Sequence, residues 1–237
     1  NIVNAVEEGR KIYANIRNFV RYQVSTNVAA VALLLLANVA FGMPLPLTAT
    51  QILVINILMD GPPAVALGVE RMHSNVMDRP PRAVDESLPN LMDLSLIFYL
   101  GAVMVTGTLI VYHLALSHGD EYARTMCFSV FILFQLFNVM NCRSSEDSVF
   151  KLGLFSNRAI YLAIFFSSVL LFIAVQGAEW TIPFTTFNIG ELLSTTPLER
   201  SDWFVIILVS STVFMVEEFR KLLQSTGVFK VRTSRRT

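Results

Sequence analysis

Apolar residues gather into runs long enough, or nearly long enough, to cross a bilayer at about 20–41, 49–67, 92–116, 125–141, 159–176 and 202–216. This pattern predicts an all-α fold, a polytopic membrane helical bundle of six transmembrane helices. The residues upstream follow another rhythm. Ile2, Val6, Tyr13, Ile16 and Val20 recur at helical steps between polar positions, and Glu7 stands four residues before Lys11. Residues 1–19 are therefore expected to form a cytoplasmic stalk helix that runs into the first span, a pattern that a plain amphipathic cap fits equally. The stretch VMDRPPRAVDESLPN (76–90) is proline-punctuated and charged, and so is expected to be an irregular loop. The expected divisions are then a stalk (1–19), a transmembrane hairpin (20–67), a cytoplasmic loop (68–91), a four-helix transmembrane domain (92–216) and a basic tail (217–237).

Composition agrees with a membrane class: of 237 residues, 54% are apolar and only 15% are charged. Formal net charge is zero, but the basic residues are unevenly placed. Arg10, Lys11, Arg17 and Arg21 precede the first span, and Arg71, Arg79 and Arg82 separate the second from the third. Arg143, Lys151 and Arg158 separate the fourth from the fifth, and Arg220, Lys221, Lys230, Arg232, Arg235 and Arg236 follow the sixth. Only Arg124 and Arg200 fall on the other face, so the positive-inside rule places both termini in the cytoplasm. Cys127 and Cys142 stand about 22 Å apart along one predicted helix, too far to pair. The opening residues read as the middle of a helix, which suggests a piece of a longer polypeptide. No nucleic-acid-binding pattern, glycine-rich nucleotide loop or zinc-type cysteine spacing occurs, and no residue is a candidate for catalysis or cofactor binding.

The chemistry concentrates in one octapeptide, NILMDGPP (56–63). It places Asp60 between two apolar runs, where an ionised carboxylate costs about 2.5–3.5 kcal/mol on the most lenient insertion scale. Asn56 lies one helical turn earlier, on the same face. Counting from Thr48, Asn56 and Asp60 lie about 12 and 18 Å along the axis, close to the middle of a core about 30 Å thick. Asn27 arrives at similar depth in the first span, about 9 Å beyond Arg21. The short connection GMPLPLT makes the two helices antiparallel neighbours, so these three side chains are candidate metal ligands converging near the midplane. Gly61, Pro62 and Pro63 add freed carbonyls, because prolines remove donors and push the residues before them out of the helical region. Transporters offer such carbonyls to cations. A hard cation such as calcium takes six to eight oxygens, whereas the three side chains supply about four, so a site built from this chain alone is incomplete. The bland alternative is a protonated Asp60, or one bonded to a neighbouring amide, beside a simple kink. Gln135, Asn138 and Asn141 either line the same cavity or bond between helices. Asn38 and Gln51 are expected at the interface, and His113 and His118 need no metal to explain them. The phenylalanine-rich later spans, FFSSVLLF among them, are expected to face lipid or pack.

Along nearly its whole length the sequence resembles the C-terminal membrane half of a P-type calcium-transporting ATPase, covering its fifth to tenth membrane helices. AVEEGRKIYANIRNFVRYQVSTN resembles the stalk and fifth helix, QILVINILMDGPPAVALGVE the sixth, VMDRPPR the following loop, and FQLFNVMNCRS with SVFKLGLFSNR the eighth helix and its exit. On this pattern Asn27, Asn56 and Asp60 match ion-binding residues. Ala30, Met59 and Gln135 stand where the two-ion sarcoplasmic-reticulum type has a glutamate, a threonine and a glutamate, so its additional site looks absent. ILMDGPP with alanine at position 30 is similar to the secretory-pathway type (type IIA), which carries one calcium or manganese per cycle. Plasma-membrane-type calcium pumps, or other cation pumps, are the runner-up. The family's DKTGT and TGES motifs and its nucleotide-binding lysine motif do not occur in these residues. The resemblance therefore implies that ATP and magnesium bind to the missing part of the pump, and that this chain alone does not hydrolyse ATP. The implied partners are the lipid bilayer, the transported cation, and the first four membrane helices and cytoplasmic domains of the same pump. A different class of reading, a six-span scaffold or channel derived from pump parts, is separated from this one by the sequence upstream.

Overall fold

The structure is a computed structural model that describes residues 1–70, 77, 89–181 and 188–226. Much of the expected loop 76–90 lies outside the described residues, with Arg71, Arg79 and Arg82. So do Lys230, Arg232, Arg235 and Arg236 of the expected tail.

Helix α1 (Ile2–Leu35) joins stalk and first span without a break and ends in a wider π-helical turn, Leu36–Ala40. A short connection leads to α2 (Ala49–Val54), followed by a π-helical turn at Ile55–Met59 and by α3 (Gly61–Gly68). Then come α4 (Leu91–Ala115), α5 (Asp120–Asn141), the short α6 (Val149–Leu152), α7 (Arg158–Gln176), the short α8 (Ile189–Leu193) and α9 (Arg200–Ser225). Polar residues at the starts satisfy backbone donors the helices leave open. Thr48 with Gln51 and Asn90 with Asp93 form capping boxes, and the Asn157 side chain accepts from the amides of Ala159 and Ile160.

Among the described residues five segments are long and apolar enough to cross a membrane: 2–40, 49–68, 91–118, 120–141 and 158–176. The sixth expected span falls in α9, whose uncharged stretch from Trp203 to Val216 is about 20 Å long. That is short of a core about 30 Å thick, because Asp202 closes it at one end and Glu217 at the other.

The central element is α5, which packs against α4, α7 and α9. Phe128, Phe131 and Phe134 on α5 are fully buried. Phe165, Phe166 and Phe172 of the FFSSVLLF run on α7 are exposed, as are Phe98 on α4 and Phe204 on α9, so the phenylalanines divide between the two expected roles of packing and facing outwards. At Gly107 of α4 an added Cβ would lie 2.5 Å from the Phe134 ring, so this glycine sets how closely α4 and α5 approach.

The stalk inverts the expected pattern. Ile2, Val6 and Ile16 are exposed, whereas Asn15, Asn18 and Arg21 are buried. The face that α1 turns towards α3, α4 and α5 is polar at this level because it meets the ends of those helices, where carbonyls need donors. Gln51 is likewise fully buried rather than interfacial, held by its capping box and by an amide donation to the carbonyl of Ser194 at 3.5 Å. Cys127 and Cys142 are both buried free thiols.

Candidate cation site

Asp60 is 1% exposed. It occupies the bend between the π-helical turn and α3, and its amide donates to the carbonyl of Ile55 at 2.9 Å, the i to i−5 bond of a π turn. The α-helix is therefore interrupted by the π turn Ile55–Met59 and a bend at Asp60, but the residues before the prolines do not leave the helical region as expected: Asp60 keeps right-handed helical angles (φ −83°, ψ −33°) and Gly61 already belongs to α3. Pro62 and Pro63 sit in the first turn of the new helix, where a missing amide proton costs nothing and the fixed φ already suits a helix. Their effect is felt upstream. The carbonyl of Leu58 would find its α-helical donor at Pro62 and its π-helical donor at Pro63, and neither residue has one. The carbonyl of Met59 loses its α-helical donor at Pro63 and accepts instead from the hydroxyl of Ser167 on α7, at 3.3 Å.

Two hydroxyls from α1 hold the Asp60 carboxylate. Tyr22 donates to Oδ1 at 3.3 Å and Thr26 to Oδ2 at 3.2 Å. Neither donor is an amide, so the bland expectation of a carboxylate tied to a neighbouring carboxamide does not describe it. Thr26 has one proton for two acceptors in reach, the other being the carbonyl of Gln23 at 3.0 Å. A carboxylate offers about four lone-pair sites, so among the described residues this one is under-partnered. Behind it Asn138 of α5 donates to Ser25 at 3.0 Å, and Ser25 donates to the carbonyl of Tyr22 at 2.8 Å.

Of the three expected ligands, only Asp60 is buried. Asn27 follows Thr26 and is turned about 100° from it around the helix, and both Asn27 and Asn56 are exposed. Among the described residues neither carboxamide has a hydrogen-bond partner. The structure thus brings Asp60 against the first span one residue before Asn27, and leaves the two amides on an open face beside it. The expectation missed Tyr22 and Thr26. Their four-residue spacing places them on one helix face, which was a legible signal in the sequence.

The interhelical role expected of the α5 carboxamides is met by two of the three. Asn138 and Asn141 bond between helices, Asn141 donating to the carbonyl of Val213 at 3.0 Å, whereas among the described residues both polar atoms of buried Gln135 lack a partner. His113 and His118 are exposed. Among the described residues no group of three or more His, Cys, Asp or Glu could hold a metal ion. A cation at Asp60 would therefore take its remaining oxygens from amides and carbonyls, the donor set that suits a hard ion.

Comparison with known proteins bears on the whole chain. Residues 44–223 match the family "Cation transporting ATPase, C-terminus". Calcium-transporting ATPase 1 of Schizosaccharomyces pombe is 40% identical over 93% of this chain and 24% of its own length. Calcium-transporting ATPase type 2C member 2 of Mus musculus is 38% identical over 93% of the chain and 23% of its own length. Type 2C member 1 of Homo sapiens is 38% identical over 94% of the chain and 23% of its own length. The chain thus spans about a quarter of the length of these relatives. It is an integral, multi-pass membrane protein that belongs to the cation-transporting ATPase C-terminal family, and it is similar along nearly all its length to calcium pumps of the secretory-pathway, type 2C, kind.

Proposed function

We propose that this chain is the C-terminal transmembrane cation-transport portion of an ATP-driven P-type pump whose cargo is calcium, with manganese as the second ion the site admits. Asp60, Asn27 and Asn56 contribute to a single midplane site. The observation that carries this reading is a buried carboxylate with two hydroxyl donors among the described residues, set beside a helix interruption where the carbonyl of Leu58 has neither an α-helical nor a π-helical donor. A membrane protein keeps an intramembrane carboxylate and a broken helix together where an ion passes.

The exposed faces of Asn27 and Asn56 support an incomplete site, closed by helices of the same pump upstream. The first four membrane helices would supply the missing oxygens, and the cytoplasmic domains would bind ATP and magnesium. The uneven basic residues support cytoplasmic termini on both sides of this portion. In the cycle, phosphorylation elsewhere moves α1. Because Tyr22 and Thr26 on α1 hold the carboxylate of Asp60, that movement changes the oxygen geometry directly, and the break before α3 lets the segment reorganise around the ion.

The test is Asp60→Asn in the full-length polypeptide. The variant is expected to insert normally and to lose calcium-dependent phosphorylation from ATP. Phosphorylation that retains its calcium dependence at normal affinity would contradict the reading.

A further inference from the structure

A second cluster of buried polar groups lies where the ends of α3, α4, α5 and α7 meet the middle of α1, about 15 Å along the chain axis from Asp60. Its centre is an ion pair. Arg143, just beyond α5, donates from Nη2 to Glu70 Oε1 at 2.7 Å and from Nε to Oε2 at 3.1 Å, a two-pronged pair between side chains that are 0% and 3% exposed. Asn157, the cap of α7, donates to Glu70 Oε2 at 2.6 Å and to the carbonyl of Ala66 in α3 at 3.1 Å. Arg143 also holds the carbonyls of Gly153 and Leu154, each at 3.3 Å.

The stalk is fastened to the same centre. Asn15 donates to the carbonyls of Gly68 and Glu70 at 3.0 Å each, and Asn18 to the carbonyl of Arg143 at 2.9 Å. Arg21 donates to the carbonyl of Cys142 at 3.0 Å, and Arg17 reaches Asp93 near the start of α4 at 2.8 Å. Arg21 immediately precedes Tyr22, whose hydroxyl holds Asp60. The polar layer and the candidate cation site are therefore two attachments of one helix, α1, to one segment, α3 with the break before it.

A segment fastened to its driver only at the break would bend there when the driver moves, because a helix interrupted by two prolines has lost the bonds that keep it straight. Fastening its far end removes that freedom. Displacement of α1 then carries both ends of α3, and the change appears at Asp60.

We propose that Glu70 and Arg143 are positioning residues for ion transport: a buried latch that binds the end of α3 to α1, α5 and α7, so that stalk movement is converted into displacement at the cation site. This rests on the transport reading above. Its special content is that the latch governs coupling, with little effect on ion affinity.

The experiment uses the full-length pump in sealed vesicles, with calcium uptake and ATP hydrolysis measured on the same preparation for the unsubstituted protein, Glu70→Gln and Asn157→Ala. Glu70→Gln removes the charge and keeps the shape, and Asn157→Ala leaves the ion pair but detaches α7. For Glu70→Gln the calcium concentration for half-maximal hydrolysis is expected within about twofold of the unsubstituted value, while calcium moved per ATP falls about threefold or more. Asn157→Ala is expected to show a smaller fall in the same ratio. A normal ratio in both variants overturns the latch and leaves the transport reading standing. An affinity that falls in step with the ratio also overturns it, since that is damage to the site. No calcium-dependent hydrolysis in the unsubstituted protein overturns both.

Discussion

Replacing Arg143 by methionine leaves the Glu70 carboxylate buried with the Asn157 amide as its one remaining side-chain donor among the described residues. Breaking a buried ion pair by removing one partner costs about 3–5 kcal/mol, most of it the penalty of an uncompensated charge. In a chain of this size each kcal/mol moves a thermal midpoint by about 2–4 °C, so the variant is expected to melt about 6–20 °C lower. The double variant Arg143→Met with Glu70→Gln removes the stranded charge as well and is expected to recover part of that loss. The double-mutant cycle then isolates the pair itself. Two measurements follow it: the midpoint of heat-induced aggregation in detergent, and labelling of Cys142 by a thiol reagent, read by mass spectrometry. Cys142 adjoins Arg143, is fully buried, and is expected to label early in the single variant. A double variant as unstable as the sum of the two singles would refute the reasoning, because the two side chains would then act independently.

Two further substitutions test other features. Gly190→Ala would put a Cβ 2.7 Å from the carbonyl oxygen of Thr195 and 2.9 Å from that of Ala178, both backbone atoms with little room to move. It is expected to cost about 1–3 kcal/mol in the same melting assay, and a midpoint equal to the unsubstituted one would contradict the packing described. Pro62→Ala with Pro63→Ala restores two amide donors that reach the carbonyls of Leu58 and Met59. If the freed carbonyls serve the ion, calcium affinity falls by about 2- to 10-fold per recaptured bond, measured as the calcium concentration for half-maximal ATP hydrolysis; unchanged affinity would remove the carbonyls from the ion's shell.

The helical fold was legible because hydropathy reports the solvent directly. A run of apolar side chains in lipid must satisfy its backbone internally, and a helix does so within one segment. Asp60 was legible for the opposite reason, as a charge where charge is expensive. Asn15, Asn18 and Arg21 were not, because their burial depends on the carbonyl ends of α3 and α5, which belong to distant parts of the chain. Glu70 and Arg143 escaped in the same way. Each reads as an ordinary residue beyond the end of a span, and only the packing of α3 against α1 and α7 and of α5 against α7 brings them to 2.7 Å. A disturbance was foreseen from the prolines but not its form: the residues before them stay helical and a π turn forms upstream, because the missing donors are felt by the carbonyls before the prolines while the prolines themselves begin a regular helix.

The central claim is that Asp60, Asn27 and Asn56 share one cation although only the first is buried in this chain. Equilibrium calcium binding to the full-length protein tests it most directly, with Asn27→Ala and Asn56→Ala compared against Asn38→Ala, whose amide bonds locally to the carbonyl of Met43 at 3.2 Å. The account predicts that both site variants bind calcium more weakly while Asn38→Ala binds as the unsubstituted protein does. Normal binding in Asn27→Ala and Asn56→Ala would contradict it.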